Sequence, residues 1–365
     1  LRPERTRFCV AASGPTRAGS GRIALESQHA HRQPGACPQR PNAPNAAVDV
    51  SAAPHARDAV ASADGLASSP AAQPLHDNAV FSALTQSRAS LERACVLGDG
   101  LGLALWRNRH DDTAYARPGH HTMSMYLEGG HATYRRDAPD RKGAPDRLCV
   151  LPAEHESSWH VGGDQRFLHL YFQPEHLAWH CVRVLDAEPR ALQLQDRLFA
   201  EDPTLAGLSR RLVMLDWQDI DSRMIGNALA HEAVTHLLLT HGTRRPLAQW
   251  RGGLSGAVRR RVADWIDAHP AANPTLGELA ALADLSEFHF ARMFRVSFGM
   301  PPHAWIMRAR LERARALLGN SRLSLHEVAS QAGFASTSHL GNRFRAAFGI
   351  TPGQWRAAAN SSAGL

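Results

Sequence analysis

The chain writes one twelve-residue phrase twice, at a constant offset of fifty residues. From Phe294 it reads FRVSFGMPPHAW and from Phe344 it reads FRAAFGITPGQW, so Phe294/Phe344, Phe298/Phe348, Gly299/Gly349, Pro302/Pro352 and Trp305/Trp355 coincide. Upstream of each copy lies a matching apolar pattern, Leu276, Leu279, Ala280, Ala283 and then Leu325, Val328, Ala329, Ala332. Both sets fall at i, i+3, i+4, i+7, the buried stripe of a short amphipathic helix. The C-terminal region is therefore constrained to fold as two like units, each a helix, a turn and a second helix.

The second helix of each unit separates into two faces. Phe290, Phe294 and Phe298 in the first copy, and Leu340, Phe344 and Phe348 in the second, form the set expected to be buried. Phe288, Ala291, Arg292 and Arg295, and then Ser338, Gly341, Asn342 and Arg345, fall on a different face left to meet solvent or a partner. A helix, a tight turn and a second helix make the arrangement whose second helix lies in the major groove of DNA. Arginine is the natural bidentate reader of guanine and asparagine of adenine, and Arg292 and Asn342 occupy equivalent places. Between the copies, PPHAWIMRARLERARALLGN predicts a connecting helix from Pro302 to near Gly319, with Leu311, Ala314 and Leu318 on one stripe. Arg308, Arg310, Arg313 and Arg315 surround that stripe. They are expected, with Ser286 and Ser336 as N-caps of the recognition helices, to supply phosphate contacts.

These residues carry a resemblance. SEFHFARMFRVSFGMPPHAW and SLHEVASQAGFASTSHLGNRFRAAFGITPGQW closely resemble the DNA-binding domain of the AraC/XylS transcriptional regulators. The resemblance implies seven helices in two helix-turn-helix subdomains, binding to double-stranded promoter DNA, and recruitment or positioning of RNA polymerase. It places base contacts on Phe288, Ala291 and Arg292 and on Thr337, Ser338, Gly341 and Asn342. Glu287, Arg295 and Arg345 complete the expected DNA-binding set. Asn342 departs from the arginine common in the family, so the base preference of the second half is not inherited.

At 365 residues the chain has room for two or more domains. Its formal charge is +7, almost all from arginine, since Lys142 is the single lysine. Between Gly256 and Asn360 stand 13 arginines against seven acidic residues, a local basic surplus that suits an anionic partner. Cys9, Cys37, Cys95, Cys149 and Cys181 form no CxxC pair, which points away from a disulfide framework or a thiolate zinc site. There is no apolar run of the roughly 20 residues that a bilayer span needs, and no apolar core of a signal peptide near the N-terminus. A cytoplasmic protein without a membrane partner is expected.

Composition then divides the chain. Residues 1–78, rich in Ala, Pro, Ser, Gly, Arg and Gln, read as a disordered extension. Residues 79–178 alternate in short runs, Leu101, Leu103, Leu105, then Met123, Met125, Leu127, then Leu168, Leu170, Phe172. These are strands of an antiparallel sheet with one buried face, expected to close into a small barrel or sandwich. HHTMSMYLEGG and LCVLPAEHESSWHV weakly resemble the cupin-like sensor arm of the same family, which implies an unidentified small-molecule effector. Residues 179–242 read as helical, with Ile225, Leu229, Ala233 and Leu237 at four-residue spacing offering a packing or homodimer face, and Gly242 as its stop. Residues 243–255 read as a linker and 256–360 as the DNA-binding domain. The expected fold class is thus multidomain α+β: a cupin-like antiparallel β-barrel sensor with a helical dimerisation region, then an all-α double helix-turn-helix.

Nine histidines lie between residues 100 and 180, including His120, His121, His155, His160 and His169. Metal-binding cupins use a tight His-x-His; here His120 and His121 are adjacent and point to opposite faces of a strand. No metal, cofactor or catalytic residue is assigned, and the alternative is a cupin-type metal-dependent enzyme fused to a DNA-binding module.

Overall fold

The computed structural model describes residues 75–244, 251–320 and 322–362. In chain order the helices are α1 (Ala79–Thr85), α2 (Pro174–Arg183), α3 (Pro203–Met214), α4 (Ile220–Thr240), α5 (Gly256–Ala268), α6 (Leu276–Ala281), α7 (Glu287–Phe298), α8 (Pro302–Asn320), α9 (Leu325–Gln331), α10 (Thr337–Phe348) and α11 (Pro352–Ser362). The strands are β1 (Ser90–Gly98), β2 (Leu101–Asn108), β3 (Asp111–Ala116), β4 (His121–Gly129), β5 (Thr133–Arg135), β6 (Arg147–Leu151), β7 (Glu156–Val161), β8 (Gln165–Phe172), β9 (Leu192–Leu194), β10 (Arg197–Glu201) and β11 (Gly242–Arg244). The expectation for residues 1–78 falls almost wholly outside the described residues, as does most of the first half of the expected linker.

The alternating strands pair as their patterns demand. Leu101, Leu103 and Leu105 of β2 stand opposite Phe172, Leu170 and Leu168 of β8, which in turn face Met123 and Met125 of β4. This face packs under α3 and α4, against Leu205, Leu208, Leu212, Leu229, Ala233 and Leu237. The other face is buried too, contrary to the expectation of one covered face. Ala104, Trp106, Phe167 and Tyr171 lie under α1, with Val80, Phe81 and Leu84, while Tyr126, Cys149, Leu151, Trp159, Leu198 and Phe199 form a further cluster. The helices α3 and α4 take one side and α1 with a second sheet takes the other, so β2 is buried along nearly its whole length and β4 over its first six residues.

The expected barrel does not close. The strands form a six-stranded sheet, β1-β2-β8-β4-β6-β10, a three-stranded sheet, β3-β7-β5, and a small β9-β11 pair. β1 and β10 remain edges of the larger sheet, because β1 pairs with β2 alone and β10 with β6 alone. Between the sheets the side chains leave a cavity of only about 30 Å³ lined by polar groups that include Asn108, Ser124, Gln165 and His169.

Histidine burial here has a pH consequence. His169 holds Tyr171 Oη at 2.9 Å and Ser124 Oγ at 3.1 Å, and burial pushes its pKa down to about 3. Burial likewise lowers His120 and His121 to about 4. A histidine depressed in the fold binds its proton more readily when unfolded, so its contribution is complete above about pH 6.5 and is lost as pH falls toward 4. Each contributes a slope of at most about 1.4 kcal/mol per pH unit in that window. Thermal melts of the full chain should fall in Tm between pH 7 and pH 5; a Tm constant over that range would contradict the burial of neutral rings.

In the C-terminal region the repeated letters are core and cap. Phe290, Phe294, Phe298 and Trp305 are fully buried, as is Phe344; Leu340 and Phe348 are nearly so. Phe294 and Phe298 stack at 4.0 Å, with Trp305 edge-on to Phe298 at 4.7 Å. Phe348 sits 4.4 Å from Phe344 and 5.5 Å from Trp355. Gly299 and Gly349 close α7 and α10 in the left-handed region, at φ 74° and 72°, where a Cβ is unfavourable. Each phrase thus carries its own helix stop.

The first helix of each unit starts with a reciprocal capping box. Glu278 N–H donates to Thr275 Oγ1 at 3.2 Å while Thr275 N–H donates to Glu278 Oε2 at 2.7 Å. Ser324 and Glu327 repeat the pattern at the same distances. Each box satisfies two amides that the helix leaves unpaired. Thr275→Ala and Ser324→Ala should each cost about 1 kcal/mol in chemical denaturation; no loss in either would contradict the caps.

Candidate nucleic-acid interface

The two recognition helices present the faces the sequence assigned to them. On α7, Phe288 is 82% exposed; Glu287, Arg292 and Arg295 are exposed and Ala291 is half-buried. On α10, Thr337, Ser338, Asn342 and Arg345 are exposed and Gly341 is half-buried. Nothing lies within 4 Å of where a Gly341 Cβ would stand, so this glycine faces open space. Glu287 leans back over α6: a Cβ on Gly277 would stand 2.7 Å from its carboxylate oxygen. Ser336 caps α10 by accepting from His339 N–H at 3.0 Å, whereas Ser286 makes no cap bond.

The arginines of the connecting helix α8 do something else. Arg310 is buried and donates to the carbonyls of Pro270 and Ala272 and to Asn273. Arg313 donates to the Gln331 carbonyl at 3.0 Å, and Arg315 pairs with Glu312 at 2.7 Å and Asp99 at 3.6 Å. Arg308 reaches His176. The expected phosphate contacts are corrected for Arg308, Arg310 and Arg315, which are buried or half-buried and turned toward groups within the chain, whereas Arg313 is exposed and gives only its Nε to the Gln331 carbonyl. Arg292, Arg295 and Arg345, by contrast, form no side-chain hydrogen bond or ion pair among the described residues.

A helix-turn-helix domain family matches residues 279–358. A putative AraC-like transcription regulator of Streptomyces antibioticus is 28% identical over 144 residues, 39% of this chain and 48% of that protein. The HTH-type transcriptional regulator MtrA of Neisseria gonorrhoeae is 30% identical over 110 residues, 30% of this chain and 35% of that protein. Residues 279–358 are an AraC-type helix-turn-helix domain. Among solved structures, the DNA-binding domain of AdpA, a global transcriptional factor, in complex with a target DNA is 34% identical, over 28% of this chain and 93% of that one, with a TM-score of 0.28. The chain spans less than half the length of these two curated relatives.

The AraC-type domain is seated on the sheet region through a dense seam. The β1–β2 turn, Gly98-Asp99-Gly100, has three successive left-handed residues, and Asp99 N–H donates to the Ala347 carbonyl of α10 at 2.8 Å. Trp179 of α2 packs on Trp305 of α8 at 4.4 Å, and Arg315 of α8 donates to Asn227 Oδ1 of α4 at 3.3 Å. Beside the seam lies a cavity of about 250 Å³, with Gln173, Met300, Ala304, Met307, Leu311 and Arg343 in its wall. Along α4, Leu229, Ala233 and Leu237 are buried within the chain, while Ile225, the fourth member of the expected stripe, is exposed. No described helix is long and apolar enough to cross a membrane.

The strand histidines are held one by one. His121 accepts from Ala153 N–H at 3.1 Å, His155 donates to Pro152 O at 2.7 Å, and His160 meets Asp112 at 3.0 Å. A different trio converges: His176 and His180 of α2 and His231 of α4, with one ring nitrogen from each within 4.8 Å of the others. The sequence signal for it was the i, i+4 histidine pair in PEHLAWHC, which puts two rings on one face of a helix. The third member comes from 51 residues further on.

Proposed function

We propose that this chain is a sequence-specific DNA-binding transcriptional regulator that reads double-stranded promoter DNA with α7 and α10. The observation that carries the reading is the pair of recognition helices, alike in buried core and cap, with unlike exposed faces: Phe288 and Arg292 on one, Ser338 and Asn342 on the other. Held by one connecting helix, two such helices suit successive major grooves, roughly 34 Å apart. Glu287, Ala291, Arg295, Thr337, Gly341 and Arg345 complete the interface. RNA polymerase is the onward partner that the AraC resemblance implies.

The sheet region, cupin-like in this reading, serves as the sensor. Its interior is too filled for a small-molecule effector, since ligand cavities usually run to about 300–1,000 Å³. The seam cavity, near the lower end of that range, is the better seat, and occupancy there bears directly on α8. A homodimer would have to use surfaces other than the α4 stripe, whose apolar side chains are largely spent inside the chain. A fused metalloenzyme draws no support from the strand histidines, each bonded to its own neighbour.

Selection of bound duplexes from a random pool by the full chain tests the proposal. An asymmetric motif with two half-sites is the expected result, with sharper preference in the half read by α7. Recovery of unenriched sequence, with affinity set by salt alone, would overturn it.

A further inference from the structure

We propose that His176, His180 and His231 form a three-histidine site for a divalent transition-metal ion of the zinc class, placed where α2 and α4 meet the connecting helix α8. The argument is proton bookkeeping. His231 Nε2 lies 3.0 Å from Asp99 Oδ2, a carboxylate oxygen that can only accept, so Nε2 carries the hydrogen. His180 Nδ1 lies 3.1 Å from Thr235 Oγ1. Thr235 has already given its own proton to the His231 carbonyl at 2.9 Å, so its oxygen accepts and His180 Nδ1 donates. His176 Nδ1 lies 2.7 Å from the Asp99 carbonyl oxygen, again an acceptor only.

With all three outer nitrogens protonated, the inner nitrogens of the neutral rings carry lone pairs. His180 Nε2 and His231 Nδ1 then face each other at 3.0 Å with no hydrogen between them. His176 Nε2 is buried without a hydrogen-bond partner, on a side chain only 1% exposed. Buried polar atoms are normally satisfied, and three converging imidazole lone pairs are what a borderline cation takes. Three histidines with the fourth position left to water or another ligand is a familiar zinc arrangement. The Asp99 carboxylate and the Thr235 hydroxyl supply the outer hydrogen bonds that orient ligating imidazoles.

The site is wired to the AraC-type domain through Arg308. Its guanidinium lies 3.0 Å from His176 Nδ1, the same nitrogen that faces the Asp99 carbonyl. A guanidinium can only donate, and Nδ1 already gives its hydrogen to that carbonyl, so the approach is a close electrostatic contact and not a hydrogen bond. A metal on Nε2 keeps this same tautomer, with the hydrogen on Nδ1. A bound metal would bring its positive charge close to this guanidinium and repel it. Binding at the trio must shift how α8 is seated, and by linkage DNA and metal affect each other's affinity. This coupling rests on the regulator reading; the metal site does not.

The test uses the full chain, freed of any affinity tag, dialysed against chelator and titrated with Co(II) and then Zn(II). One equivalent of Co(II) should bind with the visible absorption of a tetrahedral nitrogen site, and Zn(II) should displace it. His180→Ala and His231→Ala should each weaken binding by more than about 100-fold and Asp99→Asn by roughly 10- to 100-fold, with circular dichroism confirming that each variant is folded. Thr235→Ser, which keeps the accepting hydroxyl, should bind as the parent does. No stoichiometric binding by the parent, or binding unchanged in the His180→Ala/His231→Ala double variant, overturns the site. DNA affinity measured with Zn(II) and with chelator should differ in the parent and not in the double variant. A chain that binds Co(II) through the trio yet selects no DNA would leave the site standing and overturn the regulator reading instead.

Discussion

Phe294→Ala is expected to destabilise the first helix-turn-helix unit by about 3–5 kcal/mol. The ring is fully buried, stacked on Phe298 at 4.0 Å, and flanked by Phe290 at 5.6 Å and Trp305 at 6.5 Å. Its loss removes contacts from three other aromatic rings at once and leaves a void that a rigid helix pair cannot close. Chemical denaturation should show an early transition, and specific DNA binding should disappear with it. Phe288→Ala is the matched control: the same residue type six positions away, 82% exposed, should leave the denaturation midpoint almost unmoved and change DNA binding alone. Equal destabilisation by the two substitutions would mean that the buried and outward faces of α7 are wrongly assigned.

Arg292→Ala should reduce discrimination at one or two base pairs by about 1–3 kcal/mol, roughly 10- to 100-fold. Arg292 stands on the exposed face of α7 with no partner among the described residues, so its fork of donors is not already committed. The measurement is the ratio of affinities for the selected duplex and for single-position variants of it. Arg345→Ala, one turn beyond Asn342 on α10, should instead weaken all duplexes alike and lower the salt slope by about one. If both substitutions weaken every sequence to the same degree, Arg292 contacts a phosphate and the base-reading role falls.

Much of this arrangement could be read from residues alone, for identifiable reasons. Periodicity separated the buried Phe290-Phe294-Phe298 stripe from the outward Phe288-Arg292 face because a helix turns side chains through fixed steps. It found the Leu101-Leu103-Leu105 face of β2 for the same reason. It missed the burial of the opposite face, where Ala104 and Trp106 alternate with them and where neighbouring strands bring Ser124 and His169. Small and polar residues there look like a solvated surface until a second layer is known to cover them. The capping boxes at Thr275 and Ser324 were present as T-x-x-E and S-x-x-E, a local pattern with a local meaning. Arg308, Arg310 and Arg315 of α8 were misjudged because a positive charge has no periodic mark that separates a phosphate contact from a partner within the chain. Arg315 meets Asp99 from far along the sequence. His231 joins His176 and His180 in the same way, through the packing of two helices that share no motif.

The seam also gives the molecule a mechanical property. α8 is one uninterrupted rod of 19 residues, about 28 Å long, leading out of one reading unit at its start and into the other at its end. Its grips on the sheet region, Trp305 on Trp179, Arg308 at His176 and Arg315 at Asp99, are spread from residue 305 to residue 315. A rod held along much of its length tilts as one piece, and a tilt of a few degrees displaces its ends by about an ångström in opposite directions. What such a tilt changes first is the distance and phase between the two readers, so a signal at the seam would retune which operator spacing the chain accepts while leaving each half-site's alphabet untouched.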